Sequence, residues 1–417
     1  MRPKKWLSSL GISSLLLASV LSGCSSNDAS KSDKTEIVLS GWGGNPVEKK
    51  LLNEVLADFE KEHPDIDVKL NTINDQYMDV LKTRLIGGTA ADVFYLDAFE
   101  APALIETGAI EPLNKYVTDE FNVNDFEKPM IDAFKSDGEL YGLPKDYSTL
   151  ALFYNKKMFK EHGIAGPPKT WEELEQIAKK LTDAEKQVYG LGVMPQIERM
   201  YYLAESHGGE VITDGRASFA DDKVVKAIQP IVDMRLKDKS AATPSEVGAG
   251  QSAGEMFGRG KAAMVVEGNW NIPYMEETFP DIDYGTAELP TVNGKKGTMS
   301  FTVGYAMNSE SKHKKESWEL IEYLTGKEGM KKWTSKGLAL PTRKSVAAEL
   351  GFDQDELRRP LVNGASYATV WQDGPSLPIV MNNFNNQFLS AYLGDRTLKE
   401  ALEDAEKQAN REIKVTE

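Results

Sequence analysis

The sequence predicts an α/β protein whose sheets are mostly parallel, and three observations carry that reading. Short apolar runs rich in β-branched residues alternate with longer runs that keep one apolar face at helical spacing. Breaker residues fall between the two kinds of run and give each a definable end. The chain is 417 residues long, 41% hydrophobic and 27% charged, which is ordinary globular composition. At roughly 150 residues per domain that length predicts two or three domains.

At the start of the chain, Arg2, Lys4 and Lys5 precede an apolar run over residues 10–21. The run is too short to span a bilayer as a stable helix, so residues 1–23 read as a secretory signal. Leu21-Ser22-Gly23-Cys24 resembles the lipobox of bacterial lipoproteins, which implies that Cys24 becomes the first mature residue and carries lipid. Cys24 is the only cysteine, so no internal disulfide can form, and acylation consumes a thiol that would otherwise be a liability outside the cell. Two acyl chains on one residue give stable anchoring. Residues 24–34 are small and polar and read as a flexible tether.

From Glu36 onward strand and helix alternate. Ile37-Val38-Leu39 is a strand ended by the breaker cluster Gly41-Trp42-Gly43-Gly44. Pro46 opens a helix with Val47, Leu51, Leu52, Val55, Leu56 and Phe59 on one face, stopped by His63-Pro64. Ile66, Val68 and Leu70 alternate as a half-buried strand, and Met78, Leu81 and Leu85 mark a helix that ends at Gly87-Gly88. Residues 93–96 form a third strand. This order predicts helices on the faces of a parallel sheet, with ligands beyond the carboxyl ends of its strands. Trp42 and Asp97 both fall at that rim. Residues 141–146 read as a turn-rich break before a strand at 150–154, and strand-like runs recur at 188–193, 262–266 and 301–307. Thr170 with Glu173 and Thr397 with Glu400 are capping boxes for two later helices, and the last third is predominantly helical.

The charge balance restricts the function. A formal net charge of -15 repels polyanions, and no dense Lys/Arg patch follows the first five residues, so nucleic acid is excluded as a partner. His63, His162, His207 and His313 are scattered, which supports no zinc site. Gly250-Gln251-Ser252-Ala253-Gly254 fits the nucleophile-elbow pattern, but the residues before it are loop-like where that elbow needs a strand. No phosphate loop or dinucleotide fingerprint is present. Neither cofactor nor metal is expected, and no enzymatic activity.

An ordered set of short motifs then resembles a known family. It runs from Phe59-Glu60 with His63-Pro64, through Ala91-Asp92-Val93, Gly108-Ala109-Ile110-Glu111-Pro112-Leu113, Tyr141-Gly142-Leu143-Pro144 and Tyr154-Asn155-Lys156. It continues with Thr170-Trp171-Glu172-Glu173-Leu174, Gly268-Asn269-Trp270, Lys327-Glu328-Gly329 and Pro341-Thr342. This set is similar to the extracellular solute-binding proteins of the maltose-binding type, and it covers essentially the whole mature chain. The resemblance implies a two-lobe periplasmic-binding-protein fold of type II with a ligand cleft between the lobes. It implies lobe I over 35–146 and 300–343, lobe II over 147–299 and 344–417, and hinge closure over the ligand. The resemblance implies a monomer on the outer face of the cell membrane that delivers a di- or oligosaccharide, malto-oligosaccharide by default, to an ABC permease. Two alternatives stand beside it: the same fold holding iron or a polyamine, as the tandem Tyr201-Tyr202 allows, and a secreted glycoside hydrolase with paired carboxylates.

A sugar presents an apolar ring face and a rim of hydroxyls, so its site needs aromatic faces and side chains with two acceptors. The resemblance puts a stacking tryptophan at Trp270, beside Asn269, and a sugar-binding aspartate at Asp97. Trp42 lies in a glycine-rich loop that cannot easily bury it. Asp146 and Tyr147 fall where the family enters its second lobe; the position of the family's glutamate is Ser148 here, which makes Asp146 the substitute. Gln196, Glu198 and Tyr201 precede Gly208-Gly209, where the family carries acid and aromatic contacts. The family's late tryptophan has no counterpart near residues 381–384, and Trp371, in a loop, and Asn382 are the candidates to replace it.

Overall fold

The computed structural model describes residues 34–416, so the signal segment, Cys24 and all but the last residue of the tether lie outside the described residues. Strand β1 (Thr35–Trp42) buries Ile37 and Leu39 completely. Helix α1 (Pro46–Glu62) is started by Asn45, whose side chain accepts from the Val47 and Glu48 N–H groups, with Pro46 preset for the first turn. It buries the six apolar positions named from its spacing. Strand β2 (Ile66–Ile73), helix α2 (Tyr77–Ile86) and strand β3 (Val93–Asp97) follow, and β2 and β3 pair in parallel on either side of β1.

This first sheet continues through antiparallel strand Thr298–Met307, which pairs with β3 on one side and with Gly142–Thr149 on the other. A second sheet has the order Ala241–Ala242, Tyr189–Gly192, Ala262–Glu267, Ala151–Asn155, Tyr284–Ala287. Each sheet has its own apolar core. Helices Leu377–Leu393 and Leu398–Thr416 bury one face in the core of the second. The chain passes from one sheet to the other between Thr149 and Ala151 and returns at Thr298. Leu150 N–H donates to Thr298 Oγ1 at 3.1 Å, and that hydroxyl donates back to the Leu150 carbonyl at 3.0 Å, so the two crossings are stapled together.

Three local expectations are corrected. Residues 141–146 are not a turn: Gly142–Thr149 is an eight-residue strand. Glycine and proline obscure it in the sequence, but it lies at a sheet edge, where Pro144 loses no ladder bond. Its register slips between Val303 and Gly304, whose partners are Asp146 and Pro144, so Lys145 is an extra residue in a β-bulge. Trp42 is the last residue of β1, opposite Ile73, rather than part of the following loop. Of the two capping boxes, Thr397 and Glu400 bond reciprocally. Glu173 instead reaches past Thr170 to the Lys169 N–H at 2.7 Å.

Candidate functional site

The carboxyl ends of β1 and β3, the bulged strand, and the segment after Ala262–Glu267 surround a cleft of about 630 Å³, a size usual for small-molecule sites. Six of the residues singled out from the sequence line it: Trp42, Asp97, Asp146, Gln196, Glu198 and Trp270.

Trp42 is fixed edge-on against Tyr77 (5.4 Å between centroids) and Tyr95 (5.1 Å). Tyr77 is locked in turn, because its hydroxyl donates to the Tyr95 carbonyl at 3.0 Å. Trp270 donates its indole N–H to Glu267 at 2.8 Å and meets Phe301 edge-on at 6.0 Å. Gly268 makes this possible, since a Cβ there would come within 2.4 Å of the Trp270 ring. Arg199 joins the same group: it donates to Gln196 at 2.9 Å, to the Val266 carbonyl at 2.8 Å and to Glu267 at 3.2 Å.

The bulge shapes the opposite wall. Neighbours in a regular strand face opposite ways, yet Lys145 and Asp146 both line the cleft. They form an ion pair with side chains 3% and 10% exposed. The Lys145 ammonium lies 4.1 Å from the Trp333 ring centre, and Trp333 donates its indole N–H to Asp146 at 2.5 Å. Asp146 is thus a brace for this wall as well as part of its surface.

Burial raises three lining carboxyls above their ordinary range. Desolvation pushes Asp97 up to about 7, against a bond of 2.9 Å accepted from Phe99 N–H, and the charges of Glu100 and Glu198 add to the rise. Glu198 is raised by desolvation, relieved by Arg199, and its Oε2 has no hydrogen-bond partner. Glu48 is raised by desolvation and held back by Lys145.

Four residues from the sequence reading lie elsewhere. Trp371 is 2% exposed and stacks on Tyr201 at 4.3 Å, with Phe99 edge-on at 6.2 Å. Its loop position was readable, but this loop folds its ring into the core. Tyr201 and Tyr202 are both buried there, so the tandem does not reach the cleft. Tyr147 bonds through its backbone to Leu340. Asn269 is fully buried, and its N–H donates to Ser148 Oγ at 2.8 Å; the serine in place of the family's glutamate ties the Trp270 loop to the crossing strand.

The sequence reading passed over Glu48, Arg199, Glu267 and Trp333. Glu48 and Glu267 stand at or just beyond strand ends, so the carboxyl-end rule had the means to find them. Trp333 carries no such signal, because a tryptophan inside helix Lys327–Thr334 reads as core.

Chemically, the cleft offers flat apolar faces ringed by acceptors, with fewer donors. Ser252 reaches it, but its hydroxyl caps a helix by accepting from Glu255 N–H at 3.1 Å. No histidine stands in the lining, and among the described residues no three His, Cys, Asp or Glu side chains converge as a metal site.

Comparison with known proteins agrees with this architecture. The galactooligosaccharide-binding protein of Bacillus subtilis (strain 168) is 26% identical over 384 residues, covering 87% of each chain. An ABC substrate-binding protein of Listeria monocytogenes, solved with cycloalternan, superposes with a TM-score of 0.84 at 25% identity, covering 91% of this chain and 99% of that one. A solute-binding protein of Thermotoga lettingae, solved with alpha-D-tagatose, gives 0.82 at 25% identity, covering 91% and 100%. The family model for bacterial extracellular solute-binding proteins matches residues 43–331, more than half of the sequence, and the chain belongs to that family.

Proposed function

We propose that the protein captures an oligosaccharide in this cleft and delivers it to the permease of an ABC importer, without chemical change to the sugar. The observation that carries the reading is the pairing of Trp42 and Trp270 with Asp97, Gln196, Glu198 and Arg199 around one cavity. Aromatic faces match the C–H face of a pyranose, and the carboxylates and amides match its hydroxyls. The B. subtilis and Listeria relatives, named for or solved with oligosaccharides, support the same class of ligand.

The proposal extends to the whole molecule. Lobe I is built on the first sheet and lobe II on the second, with the boundaries expected at 146 and 300 moved to the crossings after Thr149 and at Thr298. The lobes close about the stapled crossings, and Cys24 anchors a monomer to the outer face of the membrane. Calorimetric titration against gluco-, galacto-, manno- and arabino-oligosaccharides tests the reading, with chromatography of the incubated sugars beside it. Saturable binding with unchanged sugar supports it. Binding of no sugar, or cleavage of one, overturns it.

A further inference from the structure

The cleft is short of positive charge. Its lining holds five carboxylates (Glu48, Asp97, Asp146, Glu198 and Glu267) and two cations, Lys145 and Arg199. Both cations are already engaged, Lys145 with Asp146 and Arg199 with Glu267. Glu48 and Glu198 are therefore only partly offset by Lys145 and Arg199, and Asp97 has no cation acting on it from the lining. They stand on different elements: Glu48 in the first turn of α1, Asp97 at the end of β3, and Glu198 in the first turn of helix Ile197–Ser206. Glu198 is 8% exposed, and its Oε2 is without a partner. Glu198 and Asp97 line the same cleft, one from a helix packed in the core of the second sheet and the other from the end of β3 in the first.

We propose that the cleft is charge-selective: it takes a saccharide bearing a basic nitrogen in preference to the same saccharide with a hydroxyl there, and it turns away uronic acids. This rests on the oligosaccharide reading above and names the kind of sugar. A hydroxyl donates to a buried carboxyl oxygen but brings no charge to favour the ionised form that burial opposes. An ammonium supplies the hydrogen bond and the charge together, and such charge-assisted bonds are about twice as strong as neutral ones. A carboxylate on the ligand adds a further like charge, and like charges brought together at an interface oppose binding.

Titration of the protein with matched disaccharides tests this. They are glucose-based, α- and β-1,4-linked, and differ at a single position that carries hydroxyl, amine or carboxylate. The expected result is an amine form bound about tenfold tighter than its hydroxyl counterpart, an advantage that shrinks with added salt, and a uronic form bound at least about tenfold weaker. In Glu198→Gln the ratio of amine to hydroxyl affinity should contract toward one, which loss of shape alone would not produce. A hydroxyl form bound as tightly as the amine, or a uronic form bound as tightly as the hydroxyl, overturns the charge selectivity and leaves the oligosaccharide reading standing. Binding of no member overturns the selectivity, and the broader panel above then decides the reading on which it rests.

Discussion

Trp270 and Glu267 are joined at 2.8 Å, indole N–H to carboxylate, across the glycine that lets the ring fold back over its own strand. The four residues 267–270 therefore present an aromatic face whose angle is fixed before any ligand arrives. Pre-set geometry of this kind strengthens binding by sparing the ordering that association otherwise costs.

Trp270→Ala should weaken sugar binding by about 2–3 kcal/mol, the range of a central aromatic anchor, and leave thermal stability nearly unchanged. Titration and a melting curve on the same preparation check it. Unaltered affinity would remove Trp270 from the site.

Gly268→Ala is the sharper version. The added methyl would stand 2.4 Å from the Trp270 ring and 2.7 Å from Ser148 Oγ, so the ring must turn. At least about a tenfold loss of affinity is expected, since small displacements of positioning groups are costly. Tryptophan fluorescence of the free variant should report the moved ring.

Lys145→Met strands Asp146 as an uncompensated buried carboxylate and should cost about 3–5 kcal/mol of folding stability. The double change Lys145→Met with Asp146→Asn should recover a large part of it. Urea unfolding separates the two, and a double variant no more stable than the single one would contradict the pairing argument.

The acid side of the stability curve carries a signature of Asp97. Its carboxyl titrates near 3.8 when unfolded and about 7 when folded. Between those values the native chain holds a proton that the unfolded chain has lost, so this group's contribution to stability falls as pH rises toward 7. Asp97→Asn keeps an acceptor for Phe99 N–H and removes the slope. Its melting temperature should therefore gain on the parent at about pH 7.5 relative to about pH 4.5. A difference that does not change with pH would show that Asp97 is not the group responsible.

Trp371→Ala should do the reverse of Trp270→Ala. It opens a cavity beside Tyr201 and Phe99 and should cost about 3–5 kcal/mol of stability, with sugar affinity changed far less. Denaturant titration beside ligand titration distinguishes a core tryptophan from a stacking one.

Much of the fold was legible because period carries burial. All six apolar positions assigned to one face of α1 are buried, and the β-α-β-α-β order led Trp42 and Asp97 to the rim where the cleft lies. What escaped were features set by tertiary contact. Gly142-Leu143-Pro144 has turn composition, and only the partner strand Thr298–Met307 makes it a strand. Trp371 sits in a loop that happens to be buried, and Trp333 sits in a helix that happens to reach the cleft. Local sequence names the element, but it does not say which side of a ring meets solvent.

The extra residue at Lys145 makes this wall sensitive to counting. Removing any one residue between Tyr141 and Lys145 would restore unbroken alternation and swing one of the Lys145–Asp146 couple to the far side of the sheet. The wall would then lose its counter-ion with no substitution at either charge. Shortening this segment should consequently do more harm than most replacements within it.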